Sequence, residues 1–181
     1  HHYFSNQNIM SADASFSIPV ENGLNQFLAN GVSVEYDISE DNIFISKSNS
    51  SFLLPMIEYA IDFDLLIFDL KSNQLKFDNG FGKEGGLISN KYGKRLFAYN
   101  ALSAVYYLNT SRLCVSGVFP LSIKGFWIQP DKNEFCLLSN GEFPIFKNST
   151  LIKKRLFFKD KLYNNKDILI KSSLRHTVIN D

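Results

Sequence analysis

Two turn signals within residues 112–146 constrain the fold of this chain more than any other feature of its sequence. Phe126–Gln129 has the aromatic and β-branched composition that strands favour, and the following residues 130–133 are rich in turn formers. Asn140 and Gly141 are typical of a two-residue type I′ hairpin turn, because both tolerate a positive φ. The segment therefore predicts a meander of antiparallel strands, in which we expect Trp127 to be buried.

The predicted strands of this meander are residues 126–129, 134–139 and 142–146, with a fourth at 112–118. Pro144 cannot donate a hydrogen bond to a neighbouring strand. The strand that contains it is therefore expected at a sheet edge or at a bulge.

Outside the meander, alternation of apolar and polar residues predicts a half-buried strand at 32–39, which is expected to pair with 43–45. Residues 65–70 are a short apolar run suited to a central strand, and a turn at 72–73 is expected to pair them with 75–77. Another hairpin is predicted at 162–170 and a last short strand at 177–179.

Three segments, residues 21–30, 56–63 and 94–108, have apolar side chains three and four positions apart, which is the spacing of a helix face. The third contains enough aromatic residues that a pair of strands is an alternative there. Together these patterns predict a β-dominated α+β protein, with a sandwich- or barrel-like antiparallel sheet and two or three helices.

The length of 181 residues fits a single globular domain, which we place at residues 15–181. Residues 1–14 are polar and are expected to be a loose tail or an early edge strand. His1 and His2 are consistent with a remnant of an expression tag, in which case the native start lies a few residues in or the chain is a fragment of a longer protein, and a signal or anchor could have been removed. The four glycines of residues 78–86 predict an exposed and mobile loop.

Composition argues against several classes of function. The net charge of +1 gives no overall field that favours nucleic acid, a membrane surface or an acidic ligand. No apolar run is long enough to span a bilayer, and the first ten residues lack the apolar region of a signal peptide. A soluble protein of unknown compartment is expected, and the abundance of Lys, Asn, Ile and Phe suggests a bacterial or viral source with an AT-rich genome.

Histidine and cysteine are scarce. With three histidines in the chain, neither a zinc site nor a His-based triad is expected, and no metal or other cofactor is predicted. Cys114 and Cys136 both fall in predicted strands. They are expected to be either two small buried hydrophobic residues or one disulfide between neighbouring strands, which would imply an oxidising compartment.

One group of charged residues suggests an enzyme. Asp69 and Lys71 end a predicted strand, and Glu58 and Asp64 precede it. An acid followed by a (D/E)xK sequence resembles the metal site of the PD-(D/E)xK nucleases. The resemblance implies that the carboxylates would hold Mg²⁺ and that the lysine would position the attacking water. Strand parity places Asp64 and Asp69 on opposite faces, so a nuclease is the second hypothesis.

The leading hypothesis is a non-enzymatic domain that binds another protein or an anionic ligand through its β-sheet surface. Nucleic acid is a further possible partner, which the net charge does not favour. The candidate contact residues are seven basic side chains in two groups, Lys83, Lys91, Lys94 and Arg95, and then Lys153, Lys154 and Arg155. The first group surrounds a glycine-rich loop that lacks the P-loop pattern, and the second precedes three apolar residues that suit a core.

Overall fold

A computed structural model of the chain describes residues 2–4, 8–21, 23–47, 50–79, 85–90, 97–123, 126–153, 161–170 and 177–180. Within these ranges the chain forms β-strands and three short 3₁₀ turns, and it contains no α-helix. The strands are β1 (His2–Phe4), β2 (Asn8–Pro19), β3 (Asn25–Asp37), β4 (Asn42–Lys47), β5 (Phe52–Leu54), β6 (Tyr59–Asp62), β7 (Leu65–Asp69), β8 (Gln74–Asp78), β9 (Gly86–Asn90), β10 (Ala98–Ala101), β11 (Ser103–Tyr107), β12 (Arg112–Ser116), β13 (Leu121–Ile123), β14 (Phe126–Gln129), β15 (Glu134–Cys136), β16 (Phe146–Lys153), β17 (Lys161–Ile170) and β18 (Thr177–Asn180).

The α+β class predicted from the sequence is wrong, because the protein is nearly all β with a curled antiparallel sheet. The described parts of the three predicted helices are strand, turn or extended chain. β3 begins within residues 21–30, β6 lies within 56–63, and β10 and β11 occupy most of 94–108. Residues 1–14 include β1 and the first half of β2, and β2 pairs with β3.

Within the described residues the large sheet has thirteen strands. When strands that lie end to end are counted as one, their order in the sheet follows the chain as an up-and-down meander. Several strands lie end to end as halves of one longer strand. β4 and β5 pair with successive parts of β3, and β7 and β6 pair with β4 and β5 in turn. β8 and β9 then extend the sheet beside β7 and β6, and β11 and β10 lie beside them.

Bulges lie where these long strands bend. Gly31 has a φ of 62° at the point where β3 passes from its pairing with β5 to its pairing with β4. The inserted residue moves the inward-facing positions by three instead of two, so that Ala29 and Val32 are both buried. The same step separates buried Ala101 and Ala104, on either side of exposed Leu102.

Inward-facing side chains of the large sheet form a continuous core. One row of directly opposite residues on five successive strands is almost fully buried, namely Ile45, Leu66, Phe77, Ala104 and Val115. Phenylalanine rings fill the space above this row, and the Phe52 ring contacts those of Phe27 and Phe77 at centroid distances of 5.9 and 5.8 Å. Burial of these side chains is the main source of stability for such a sheet.

The smaller sheet has the order β13-β14-β16-β17-β18. Its buried residues Ile128, Leu151 and Ile168 belong to the same hydrophobic cluster as the core of the large sheet. The predicted meander is therefore wrong in its pairing, because β14 belongs to the small sheet whereas β15 pairs with β12 at the edge of the large one. Trp127 is half-buried, and its neighbour Ile128 faces the core instead.

The turn at Asn140 and Gly141 also differs from its prediction. The Gly141 N–H donates to the Leu138 carbonyl at 2.9 Å, and the Leu138 N–H donates to the Glu142 carbonyl at 2.9 Å. Only Gly141 has a positive φ, of 78°. The loop therefore has three residues, which is typical of a turn followed by a glycine bulge. Residues 142–145 are not a strand, and β16 begins at Phe146.

The two hairpins predicted at 32–45 and 65–77 are confirmed as β3–β4 and β7–β8. The hairpin predicted at 162–170 is wrong, since β17 is one strand, and the strand at 177–179 lies within β18. Most of the predicted mobile loop, residues 80–84, lies outside the described residues. No helix in the described ranges is long and apolar enough to cross a membrane.

Candidate functional site

Asp69, which the nuclease hypothesis would use to hold a metal, is instead part of the β7–β8 turn. Its Oδ2 lies 2.8 Å from the Lys76 Nζ, and its Oδ1 accepts the Ser72 N–H at 3.0 Å. These contacts, with Lys76 the largest contributor, hold the pKa of the Asp69 carboxyl well below its usual range. The carboxylate therefore has a structural role in the hairpin.

The other residues of that hypothesis have separate surroundings. Lys71 is exposed and donates to the Glu40 carbonyl at 3.3 Å. Glu58 is exposed at the end of a 3₁₀ turn, and the Asp64 N–H donates to the Asn79 Oδ1 at 2.8 Å. Among the described residues, no three His, Cys, Asp or Glu side chains form a group that could hold a metal ion. The nuclease hypothesis is left without a geometric basis.

Of the seven basic residues predicted as contacts, Lys153 alone can be placed. Lys83, Lys91, Lys94, Arg95, Lys154 and Arg155 lie outside the described residues. Lys153 is the last residue of β16 and is exposed. It is directly opposite Phe126 of β14 on one side and Lys161 of β17 on the other.

Lys153 and Lys161, which we call the lysine pair, are both held against aromatic rings. The Lys153 Nζ lies 5.7 Å from the centre of the Phe126 ring, and the Lys161 Nζ lies 4.8 Å from that of Tyr163. Such contacts stabilise an exposed cation by about 0.5–1 kcal/mol. In the described parts of the chain, neither lysine forms a salt bridge. Two like charges directly opposite each other destabilise a sheet, so this pairing is unfavourable for the fold alone.

The sequence places Lys161 in the same basic segment as Lys153 but does not show that the two are opposite each other. That relation depends on the register between β16 and β17, which contains two irregularities. Register is the property that local patterns specify least when strands are bulged.

The two cysteines form a disulfide, which is the second of the two arrangements expected from the sequence. Cys114 of β12 and Cys136 of β15 are directly opposite each other, with a Cα–Cα distance of 3.9 Å. Both are half-buried and face outward, because Val115 and Phe135 beside them face the core. The disulfide thus attaches the edge strand β15 to the rest of the large sheet.

A groove of about 340 Å³ borders Cys136, and we call it the β15 groove. Pro144, Ile145 and Lys147 lie along it on the chain that leaves the Gly141 loop. Its charged lining residues are three cations and two carboxylates, namely Arg112, Lys132, Lys147, Asp131 and Glu134. Cys114 is not part of the lining. Of the two cysteines, Cys136 is therefore the one that borders this groove.

A second groove, of about 330 Å³, lies on the outer face of β2, β3 and β4. Met10, Val34 and Phe44 provide its apolar lining, and Glu35 is the carboxylate at its side. The Asn8 amide donates to Glu35 at 2.5 Å. This groove offers apolar surface without an arrangement that selects one kind of ligand.

The core contains buried tyrosine hydroxyls. Burial raises the pKa of Tyr59 and Tyr99 well above their usual value. Among the residues that the structure describes, the Tyr99 hydroxyl has no hydrogen-bond partner. Burial also raises the pKa of Tyr106, although the nearby Ser111 and Gln26 side chains offset part of that rise. All three tyrosines are buried in the core, where a ligand at the surface of the folded protein does not contact them.

Comparisons with known proteins identify no relative, since no family model, curated protein or solved structure matches the chain significantly. A function for this protein has to be inferred from its own residues and their geometry.

Proposed function

We propose that this chain is a non-enzymatic binding domain that holds an acidic segment of a partner protein at the lysine pair of its small sheet. The observation that carries the proposal is the direct opposition of Lys153 and Lys161 without a salt bridge to either in the described chain. A carboxylate placed between two ammonium groups removes their repulsion and accepts charge-assisted hydrogen bonds from both.

The aromatic rings support this proposal because they restrict the lysine side chains before a ligand arrives. A free lysine loses side-chain entropy when it is immobilised in a complex, at a cost of about 0.5–1.5 kcal/mol. Phe126 and Tyr163 already hold Lys153 and Lys161 in part. Lys154 and Arg155 follow Lys153 directly in the sequence and add positive charge to the same segment.

A protein partner fits better than nucleic acid. Nucleic-acid affinity grows with the number of phosphates that cations neutralise, and the net charge of this chain is only +1. Two opposed lysines match one or two carboxylates of an extended peptide. The disulfide between Cys114 and Cys136 favours an oxidising environment for such an interaction.

The test is the binding of a short fluorescent peptide of alternating Glu and Gly, measured by anisotropy with the full chain. The double variant Lys153→Gln/Lys161→Gln is expected to bind about fivefold more weakly, as expected for two exposed ion pairs of about 0.5 kcal/mol each. Added salt should weaken binding by the wild type more than by the variant. Lys71→Gln removes an exposed lysine on the large sheet and serves as the matched control.

Equal affinity of wild type and double variant for the peptide would refute the lysine pair as the binding site. A single-stranded oligonucleotide of the same charge is titrated in parallel. If it binds more tightly than the peptide and loses affinity in the double variant, the partner is nucleic acid and the protein-binding proposal is wrong.

A further inference from the structure

We infer that the Cys114–Cys136 disulfide is a thiol–disulfide exchange site, at which a dithiol reductant attacks Cys136 from the β15 groove while the protein remains folded. This inference is independent of the lysine pair. It rests on where the disulfide lies in the sheet, on which sulfur borders the groove, and on the charges around it.

The position of the disulfide exposes it without unfolding. A purely structural disulfide in a β-protein is usually protected by packing on both sides, which makes its reduction depend on opening of the core. Cys114 and Cys136 instead face outward and are half-buried. Cys136 belongs to β15, a strand of three residues that pairs with β12 and lies last in the order of the large sheet. A reductant can therefore approach without displacing a core element.

The groove selects one of the two sulfurs. Exchange requires the attacking, central and leaving sulfur atoms to lie nearly in line. Cys136 lines the groove and Cys114 does not, although Arg112 of β12 lines it as well. Attack from the groove is therefore expected at Cys136, with Cys114 as the leaving group.

The charges of the groove favour a thiolate, which is the reactive form of the attacking group. Arg112, Lys132 and Lys147 line it, and none of them forms a salt bridge in the part of the chain that the structure describes. Asp131 and Glu134 offset part of this charge and leave one net positive charge. Arg112 is also two residues before Cys114 on the same face of β12, where it can stabilise the departing thiolate.

The reaction balances as a two-electron exchange. One thiolate of the dithiol forms a bond to the Cys136 sulfur, the bond between the two cysteine sulfurs breaks, and Cys114 leaves as a thiolate that takes up a proton. The second thiol of the reductant loses its proton and attacks the reductant's own sulfur in the mixed disulfide. The bond from that sulfur to Cys136 breaks, and Cys136 leaves as a thiolate that takes up a proton. The reductant becomes a cyclic or internal disulfide, and the protein holds two thiols.

The first experiment measures the rate at which dithiothreitol reduces the full chain, at urea concentrations below the unfolding transition. Exchange in the folded protein predicts a rate that changes less than about twofold over the first molar of urea. Reduction through global unfolding would instead accelerate about fivefold or more per molar, because the open state gains about 1–3 kcal/mol per molar of urea. That acceleration would overturn the inference.

The second experiment identifies the attacked sulfur. 2-Mercaptoethanol is allowed to form a mixed disulfide, which is trapped by acid and mapped by mass spectrometry, and the adduct is expected on Cys136. Arg112→Gln and Lys147→Gln should slow reduction about two- to fivefold at low salt, as expected for surface charges of up to about 1 kcal/mol, and high salt should remove the difference. Lys71→Gln is the control. An adduct mainly on Cys114 would show that the groove does not direct the exchange. Reduction rates that are equal in wild type and in the Arg112→Gln and Lys147→Gln variants would show the same.

Discussion

Removing the disulfide offers the sharpest test of how the edge strand β15 is held to the rest of the large sheet. In the double variant Cys114→Ala/Cys136→Ala, the cross-strand pair remains but the covalent link between β12 and β15 is lost. The closed loop contains β13 and β14, the first two strands of the small sheet. Without the link, the unfolded chain regains the freedom of this loop, so the free energy of unfolding is expected to fall.

The magnitude follows from the sequence separation of 22 residues between the two cysteines. Loop-closure entropy for a loop of this length corresponds to about 3.4 kcal/mol at 25 °C. The side chains are half-buried and outward-facing, so their replacement by alanine leaves no cavity in the core. With a denaturant slope of about 2 kcal/mol per molar, the urea midpoint is expected to fall by about 1.7 M.

The assay is urea unfolding followed by far-ultraviolet circular dichroism, with and without dithiothreitol. Reduced wild type and the double variant should have the same midpoint, and dithiothreitol should not affect the variant. A loss below about 1 kcal/mol would refute the reasoning, because it would mean that the loop is already constrained in the unfolded chain.

Three further predictions concern single residues. Tyr99→Phe should preserve or raise the free energy of unfolding, by up to about 1–3 kcal/mol in urea unfolding, because it removes a buried hydroxyl that has no hydrogen-bond partner among the described residues; a clear loss of stability would show that this hydroxyl is hydrogen-bonded. Gly141→Ala should lower the free energy of unfolding by about 1–3 kcal/mol in the same assay, because the φ of 78° disfavours alanine and its Cβ would lie 2.4 Å from the Ile57 carbonyl oxygen. The pKa of the Asp69 carboxyl is lowered in the folded protein, so its ionised form contributes to the free energy of unfolding. This contribution is complete above about pH 4 and is lost as pH falls toward the folded-state pKa. The difference in thermal midpoint between wild type and Asp69→Asn should therefore shrink as pH falls below that value, and a difference that grows in acid would contradict the role given to Lys76.

Local hairpins were predictable from sequence because their information is local. The second half of β3 and all of β8 alternate apolar and polar residues, and a short polar turn joins each to its apolar partner strand, β4 or β7. In each case one alternating pattern specifies which side chains face the core, and a short turn specifies the partner.

A three-residue step within one long strand explains the wrong helix predicted over residues 94–108. A bulged strand moves its inward-facing positions by three residues at one point, and that step is the same as the i, i+3 spacing of a helix face. Tyr99 and Ala101 face the core before Leu102, and Ala104 and Tyr106 face it afterwards. Periodicity over 94–108 therefore combines two strand patterns, and in sequence this combination is indistinguishable from one helical stripe.

The candidate sites show the same division between local and long-range information. Lys153 could be selected from its basic segment, and the pairing of the cysteines remained one of two alternatives. The opposition of Lys153 to Lys161, and of Cys114 to Cys136, depends on strand register. Register between segments more than a few residues apart is set by burial of the whole core, which only the tertiary structure specifies. The same burial assigns β14 to one sheet and β15 to the other, although only residues 130–133 separate them.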